Sequence, residues 1–257
     1  MQNILAIWQR EMKSYFVSPI AYVVLTVFVF FTGFFFYSIL SAVMQSAMYQ
    51  AAYGQGSPPM DMPGIITRNV FGTLSVVLLF MIPMLTMGLF AEEKKRGTIE
   101  LLLTTPVGNL QALMGKYLAT LTFLLIMLLA SGVTISILFI YGDPELKPIL
   151  GAYLGLFLYG AALLAVGLFI STLTENQIVA GLITFGVILV LWLVDSFAGS
   201  LQGTVRDVLS YLSVISHLDD FIKGVIDTTN VIFYGTFAFF ALFLTYRSLE
   251  SLRWKSS

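Results

Sequence analysis

The 257-residue chain contains 58% hydrophobic and 11% charged residues and carries a net charge of −1 at pH 7. Globular proteins have about 45–50% apolar and about 25% charged residues, so the mean hydropathy of +0.91 indicates an integral membrane protein. The small net charge predicts no nucleic-acid partner, and the absence of cysteine excludes disulfides, thiolate metal sites and a catalytic thiol.

The first seventeen residues predict an amphipathic helix that lies in the membrane interface. Its apolar residues recur at helical spacing and are Ile4, Leu5, Trp8, Met12, Tyr15 and Phe16. Its polar residues fall largely on the other side and are Gln2, Gln9, Arg10 and Lys13. The alternative is a plain interfacial anchor with no mechanical role. The segment lacks a continuous apolar region and a small-residue cleavage site, so no cleaved signal peptide is expected.

Six stretches without acidic or basic residues at their centres are long enough to cross a hydrocarbon core of about 30 Å. They are predicted at about 20–44, 69–91, 117–142, 148–174, 176–198 and 228–249. Lipid cannot satisfy backbone polar groups, and "VVLTVFVFFTGFFF" lacks the alternation of a barrel strand, so these spans are expected to be helices. The sequence therefore predicts an all-α integral membrane protein in which residues 1–257 form a single transmembrane domain.

The distribution of lysine and arginine predicts the orientation of these spans. If both termini share one side, that side has nine of the 13 basic residues: Arg10, Lys13, Lys94, Lys95, Arg96, Lys116, Arg247, Arg253 and Lys255. The other side has four: Arg68, Lys147, Arg206 and Lys223. The excess of basic residues predicts cytoplasmic termini, with segments 91–116 and 174–177 also cytoplasmic and segments 45–68, 143–147 and 199–227 facing outward.

The segment "AEEKKRGTIELLLTTP", residues 91–106, places a dense group of charges directly after the second span. Glu92 and Arg96 have the i,i+4 spacing of a helical ion pair, and Gly97 permits a bend. A second short helix is predicted over residues 98–104, because Pro106 disfavours helical geometry at Thr105.

That short helix would expose an apolar face that needs a partner, formed by Ile99, Leu102 and Leu103 beside Glu100. One interpretation is a docking platform for another protein. The other is a solvated run of charges that ends the span and binds lipid headgroups.

Small residues in the fourth span predict close helix packing. The stretch "GAYLGLFLYGAALLAVG" contains Gly151, Gly155, Gly160 and Gly167. Such motifs let helices approach each other, but they occur equally at contacts within a subunit and between subunits.

Few polar residues remain that could form a chemical site. Asp195 lies near the outer end of the fifth span, which favours a helix-end residue over an ion or proton site. His217, Asp219 and Asp220 lie in a predicted outer loop, 199–230. They could contact a metal, but one histidine lacks the usual ligand spacing, so a solvated loop is expected.

Six spans, the N-terminal amphipathic helix and "EEKKRGTIELLLTTPV" followed by "LMGKYLA" together resemble the permease subunits of type-2 ABC exporters over essentially the whole chain. The residues that match the ATPase-coupling region of that family are Glu93, Gly97, Thr98, Glu100, Leu102, Leu103, Thr105 and Pro106. The segments "REMKSYFVSPIAYV" and "HLDDFIKGVID" are similar to the branch that includes gliding-motility permeases and the permease of nitrous-oxide-reductase maturation.

This resemblance implies a permease in the bacterial inner membrane, surrounded by lipid, that works as a dimer with itself or with a sister permease. A separately encoded ABC ATPase would bind segment 91–106, with Ile99, Leu102 and Leu103 in a groove and residues 92–100 fixing the register. The chain has no GxxxxGK[ST] motif, so it is expected to be no enzyme and to bind no cofactor, with MgATP held by the ATPase.

Two other functions remain compatible with the sequence. A secondary transporter would be expected to have ionisable groups or broken helices near the midplane, whereas the six predicted spans offer only Asp195 at one edge. A membrane anchor that is driven by an ATPase but transports nothing would use the same coupling segment.

Overall fold

The computed structural model describes residues 2–53, 61–98, 108–142, 144–199 and 203–255. Within these ranges the chain forms helices and turns, without a strand. The helices, in chain order, are α1 (Gln2–Val17), α2 (Pro19–Tyr53), α3 (Met62–Thr86), α4 (Ala91–Lys95), α5 (Asn109–Tyr141), α6 (Leu146–Ser171), α7 (Gln177–Gly199), α8 (Thr204–Leu212), α9 (Val214–Ile222) and α10 (Thr228–Lys255).

Six helical stretches in the described residues are long and apolar enough to cross a membrane. They correspond in order to the six predicted spans, with α3 and α4 forming one stretch, Met62–Lys95. The prediction of an all-α integral membrane protein is confirmed. The predicted amphipathic N-terminal helix is α1, which precedes the first of these spans.

Several helices extend beyond the hydrophobic stretches from which the spans were predicted. Helix α2 has 35 residues and is therefore about 52 Å long at 1.5 Å per residue, more than a hydrocarbon core requires. Its additional turns, residues 45–53, have the sequence "QSAMYQAAY", in which alanine, methionine and glutamine favour the helix and no glycine or proline interrupts it. Helix formation therefore continues after the sequence has lost its strongly apolar character.

The second span is interrupted on the side that carries the charged segment. Helix α3 begins at Met62, where the carboxylate of Asp61 accepts a hydrogen bond of 3.0 Å from the backbone N–H of Gly64. It ends at Thr86, and a turn over residues 87–90 leads into the five-residue helix α4. The charged residues 92–96 therefore lie on a separate short helix and its C-terminal turn rather than on a continuation of the span.

Helices α6 and α3 form the centre of the bundle. Of the 18 most apolar consecutive residues in α6, 78% are buried, compared with 17% in α7. Helix α6 packs against α3, α5, α7, α9 and α10. The small residues of α6 make these contacts possible, because they let the backbones of neighbouring helices approach closely.

Segments that were predicted to share a side of the membrane meet at the same end of the bundle. At one end, the turn before α4 contacts the last residue of α6, and Thr172 hydrogen-bonds to Ser248 of α10. At the other end, Gly142 lies against Pro63, and Gly224 against Pro148. The arrangement therefore agrees with the predicted grouping of the segments into two ends. It does not show which end faces the cytoplasm.

The prediction of an outer loop over residues 199–230 is wrong for the part of this range that the structure describes. Residues 204–222 form the two short helices α8 and α9, and α9 packs on α6, α3 and α7. Val214, Leu218, Phe221 and Ile222 are buried, and they follow the i, i+4, i+7, i+8 spacing of one helical face. This amphipathic pattern stabilises α9 as a helix packed on the bundle. The segment is too short and too polar to be predicted as a membrane span.

Candidate functional site

Four charged side chains meet where α1, α4 and α5 come together, and we name this cluster the charged junction. It consists of Arg10 and Glu11 from α1, Glu93 from α4 and Lys116 from α5. Lys116 Nζ lies 3.2 Å from Glu11 Oε1 and 2.9 Å from Glu93 Oε1. Arg10 Nη2 lies 2.7 Å from Glu11 Oε1 and 3.2 Å from Glu93 Oε1. Each carboxylate is therefore shared by two cations.

Lys116 is the centre of the junction and is 2% exposed. Its ammonium also donates to the carbonyl oxygen of Leu89 at 2.8 Å and lies 5.2 Å from the centre of the Phe90 ring. A buried ammonium is costly unless charges and hydrogen bonds replace its water, and here all of these contacts do so. Since Leu89 and Phe90 belong to the turn before α4, Lys116 holds both the turn and the helix that follows it.

The electrostatics of the junction favour its charged state. Burial disfavours ionisation of Glu11, but Lys116 and Arg10 outweigh burial and hold the pKa of its carboxyl below its ordinary value of 4.5. The hydrogen bond to Glu11 raises the pKa of Arg10. Because the pKa of Glu11 is lowered by folding, its stabilisation is fully present above the unfolded-state pKa and is lost as the pH falls through the folded-state pKa. The stabilisation contributed by Glu11 is therefore fully present at neutral pH.

The C-terminal end of α6 holds α4 from another side. Ser171 Oγ accepts the backbone N–H groups of Phe90 and Ala91 at 3.0 and 3.1 Å. These two N–H groups lie at the start of α4, where a helix has no preceding turn whose carbonyl groups could accept from them. Lys94 donates its ammonium to the carbonyl oxygen of Thr172, which follows the last turn of α6. The partial negative charge at this helix end favours a cation there.

The same residues connect α6 to the last helix. The hydroxyl of Thr172 donates to the carbonyl of Phe169 at 2.7 Å and lies 2.8 Å from the hydroxyl of Ser248 in α10. Helix α4 is thus attached through side chains to α1 and α5 on one side and to α6 on the other, and through Thr172 it is one contact removed from α10.

Helix α1 is fastened to α5 along most of its length. Trp8 Nε1 donates to Thr122 Oγ1 at 3.0 Å, and the Tyr15 ring stacks on Phe123 with ring centres 5.2 Å apart. Ile7 is buried against Gly115 of α5. These contacts, with the charged junction, tie α1 to a membrane-spanning helix and to α4, which a plain interfacial anchor would not require.

The structure describes part of the coupling segment that the sequence predicts. Glu92 and Arg96 form the expected i,i+4 ion pair at 2.6 Å, and Gly97 has a φ of 68°, the left-handed region that glycine adopts readily. Thr98 Oγ1 donates to the carbonyl of Glu93 at 3.2 Å. The remaining predicted residues lie outside the described ranges: Ile99, Glu100, Leu102, Leu103, Thr105 and Pro106.

Sequence reasoning missed the partners that hold α4. Lys116 counted only as one cytoplasmic basic residue, and Glu11, Ser171 and Thr172 were not singled out. An isolated lysine eight residues into α5 gives one usable signal, because a buried charge at the start of a span requires a partner. The sequence alone does not identify that partner, since Glu11 and Glu93 lie 105 and 23 residues away.

The four glycines of α6 all lie at contacts within the chain. A Cβ atom at Gly155 would lie 2.4 Å from the Cβ of Phe221 in α9, and one at Gly151 would lie 3.2 Å from the Phe221 carbonyl oxygen. A Cβ atom at Gly160 would lie 2.6 Å from a methyl group of Leu124, and one at Gly167 would lie 2.2 Å from Thr86 Oγ1. These glycines therefore allow α9, α5 and α3 to pack closely on α6.

His217 is not a solvated loop residue, as the sequence had suggested. It is buried in α9, with its ring stacked on Phe233 at a centre-to-centre distance of 3.8 Å. Its Nδ1 donates to the carbonyl of Ser213 at 2.8 Å. Asp219 pairs with Lys223, and Asp220 accepts from Asn230 at 3.0 Å, so the three residues have separate partners. Asp195 is exposed four residues before the end of α7, as expected for a helix-end residue.

Comparison with known protein families matches nearly the whole chain. A family described as ABC-2 family transporter protein matches residues 5–249. No curated protein matches the chain. The matched range covers the six spanning stretches of the described residues, except for the last two residues of the sixth, and all four residues of the charged junction. The chain therefore belongs to the ABC-2 family of transporter proteins.

Proposed function

We propose that this chain is the permease subunit of an ATP-driven exporter, and that α4 and the charged junction pass the movement of an ATPase subunit to the membrane helices. Membership of the ABC-2 family makes the chain a membrane component of a transporter, which implies an ABC ATPase partner in general.

The observation that carries the proposal is the attachment of α4 on several sides. Lys116 connects Glu93 to α5 and Glu11, and Ser171 binds the N-terminal turn of α4 at 3.0 and 3.1 Å. A surface loop that only ends a span would need none of these buried contacts. A short helix that must transmit force needs all of them, because a displacement at its exposed end is then shared with the helices to which it is bonded.

The exposed end of α4 is the natural place for the ATPase. Lys95, Arg96 and Gly97 are exposed, and the predicted leucines follow directly after them in the sequence. Apolar side chains entering a groove would give affinity, and the charges around them would favour one orientation. A displacement here would reach α5 through the ammonium of Lys116 and α6 through Ser171.

The remaining assignments complete the proposed assembly. The excess of basic residues favours a cytoplasmic location for both termini and for α4. The resemblance to exporter permeases supports the bacterial inner membrane as the location of the chain. MgATP would be bound by the ATPase alone. A second permease, either a copy of this chain or a sister protein, would complete the transport path.

The experiment is a pull-down of the ATPase subunit, co-expressed with the permease in membranes. The double variant Leu102→Asp with Leu103→Asp is expected to lose the ATPase, since carboxylates in an apolar groove cost about several kcal/mol. The matched control is Lys95→Gln, which changes an exposed charge in the same segment and should retain the ATPase. Membrane expression of both variants should equal that of the wild type.

A third variant separates attachment from docking. Lys116→Met leaves the exposed surface unchanged, so the ATPase should still co-purify, whereas transport-coupled ATP hydrolysis should fall. Full recovery of the ATPase by the double aspartate variant would contradict docking at this segment. Undiminished coupling in Lys116→Met would contradict transmission through the junction.

The gliding-motility branch rests on the resemblance of two sequence segments and stays a prediction. A deletion strain that spreads normally on a surface would contradict it. Such a result would leave the permease assignment untouched, because that assignment depends on the family and not on the branch. The anchor without transport would instead be favoured if the complex hydrolyses ATP and moves no substrate across vesicles.

A further inference from the structure

A cavity of about 760 Å³ lies between α1, the first turn of α2, the end of α3 and α4. Its volume is in the range of pockets that bind small molecules, about 300–1,000 Å³. One part of its wall is charged and the other is apolar. We propose that this cavity binds the headgroup of a phospholipid that carries a primary amine, such as phosphatidylethanolamine.

The cavity has a charged wall beside an apolar wall, as a phospholipid has a charged headgroup beside its acyl chains. The charged wall comes from α1, α4 and the start of α5, where the sequence predicts the membrane interface. The apolar wall comes from the ends of two spans and includes Ile20, Val24, Met84 and Leu85. Ile20 and Met84 are exposed, so the apolar wall reaches the lipid-facing surface. A headgroup could occupy the charged part while its chains follow α2 and α3.

The charges favour a zwitterionic ligand over an anionic one. Three cationic residues line the cavity, Arg10, Arg96 and Lys116, and three anionic residues, Glu11, Glu92 and Glu93. The balance gives no net attraction for an anion. The exposed guanidinium groups of Arg10 and Arg96 use Nη2 for their ion pairs, and each has two further nitrogens that can donate to a phosphate.

One acceptor in the cavity wall lacks a donor. Glu93 Oε1 binds Lys116 and Arg10, but Glu93 Oε2 is shielded from solvent and has no hydrogen-bond partner among the described residues. Such buried polar atoms are rare in native proteins, so a donor at this place would be favourable. A primary ammonium offers three N–H groups, whereas the quaternary ammonium of phosphatidylcholine offers none. Glu92 also lines the cavity and its side chain is 45% exposed, and it uses Oε1 for its ion pair with Arg96, so its carboxylate can accept from the ammonium.

This inference does not depend on the proposed coupling function, because it concerns the isolated chain. The test is native mass spectrometry of the purified full-length protein with added phosphatidylethanolamine, phosphatidylcholine or phosphatidylglycerol at equal concentration. We expect one molecule of phosphatidylethanolamine to remain bound at collision energies that remove the other two lipids. Equal retention of the three lipids would overturn the proposal.

Variants locate the bound lipid. Arg96→Gln removes a charged donor to the phosphate and should weaken phosphatidylethanolamine binding about tenfold. The matched control is Arg247→Gln, which removes a similarly exposed ion pair, with Glu250, away from the cavity. Met84→Trp should displace the lipid by filling the apolar part of the cavity. Arg96 and Met84 are exposed, so both cavity variants should keep the thermal midpoint of the wild type.

Two results would contradict the assignment. If Arg96→Gln and Met84→Trp both bind as the control does, the lipid lies elsewhere. Soluble phosphoethanolamine distinguishes a lipid site from a site for a free phosphate ester. It should compete only weakly, because it lacks the chains that contact α2 and α3. Competition as strong as that of the lipid itself would overturn the lipid assignment.

Discussion

Replacing Lys116 by methionine tests whether the charged junction holds α4 to the bundle. Methionine keeps most of the length and the apolar stem of lysine and removes only the ammonium. The change leaves the carbonyl of Leu89 without its 2.8 Å donor and takes one of two cations from Glu11 and Glu93. Breaking a buried ion pair by removing one partner costs about 3–5 kcal/mol.

The remaining arginine sets the magnitude at the lower end of that range. Arg10 Nη2 stays within 2.7 and 3.2 Å of the two carboxylates, but its side chain is 56% exposed and water weakens its attraction. We therefore expect a loss of about 3 kcal/mol. At about 1.4 kcal/mol for each factor of ten, the opening of α4 should become about 100-fold more frequent.

Hydrogen exchange of the protein in lipid nanodiscs measures this opening. The relevant amides are those of Lys94, Arg96 and Gly97, whose hydrogen bonds to Phe90, Glu92 and Lys94 measure 2.9, 3.0 and 3.0 Å. The spanning parts of α5 and α6 should exchange as slowly as before, because the lipid-embedded helices do not depend on the junction.

The control is Lys95→Met, which removes an exposed charge from the same helix and should leave exchange nearly unchanged. Adding Glu93→Gln to Lys116→Met should cost less than the sum of the separate changes, because the two groups interact directly. Equal exchange of residues 91–98 in Lys116→Met and in the control would refute the role assigned to Lys116.

Three further results are expected. Gly155→Ala should lower the thermal midpoint by forcing α9 away from α6, at a cost of about 1–3 kcal/mol, whereas Gly186→Ala, with open space around it, should not; equal midpoints would contradict the packing. In the cysteine-free chain, a single cysteine at Ser57 should label from outside intact cells and one at Gly108 should not, and external labelling of Gly108 would reverse the orientation. The purified chain should give no thermal shift with MgATP, and a saturable shift would contradict the proposal that only the ATPase subunit binds MgATP.

The membrane character and the number of spans could be predicted from the sequence because they depend on local composition. Water cannot reach the backbone in a bilayer, so an apolar stretch of about 20 residues has one stable form, the helix. The Glu92 and Arg96 pair and the bend at Gly97 were predictable for the same reason, since both depend on residues at most a few positions apart.

Helix ends and the short helices α8 and α9 were less predictable. Helix α2 continues to Tyr53 because helical propensity persists where hydropathy falls. Residues 204–222 have too few apolar residues for a span, and the amphipathic spacing of Val214, Leu218 and Phe221 has meaning only if a surface exists to cover it. That surface is α6, where Gly155 is small enough to admit the Phe221 side chain and Gly151 the Phe221 backbone.

The charged junction was decided by the tertiary structure alone. In the sequence, Glu11, Glu93 and Lys116 are three separate polar residues, and nothing in their spacing relates them. They meet because α1 packs along α5 and because α4, after the turn at 87–90, places Glu93 within 2.9 Å of Lys116 in α5. A buried ion pair depends on the position of both charges in space, and charges separated by 105 and 23 residues acquire that position only when the helices have packed.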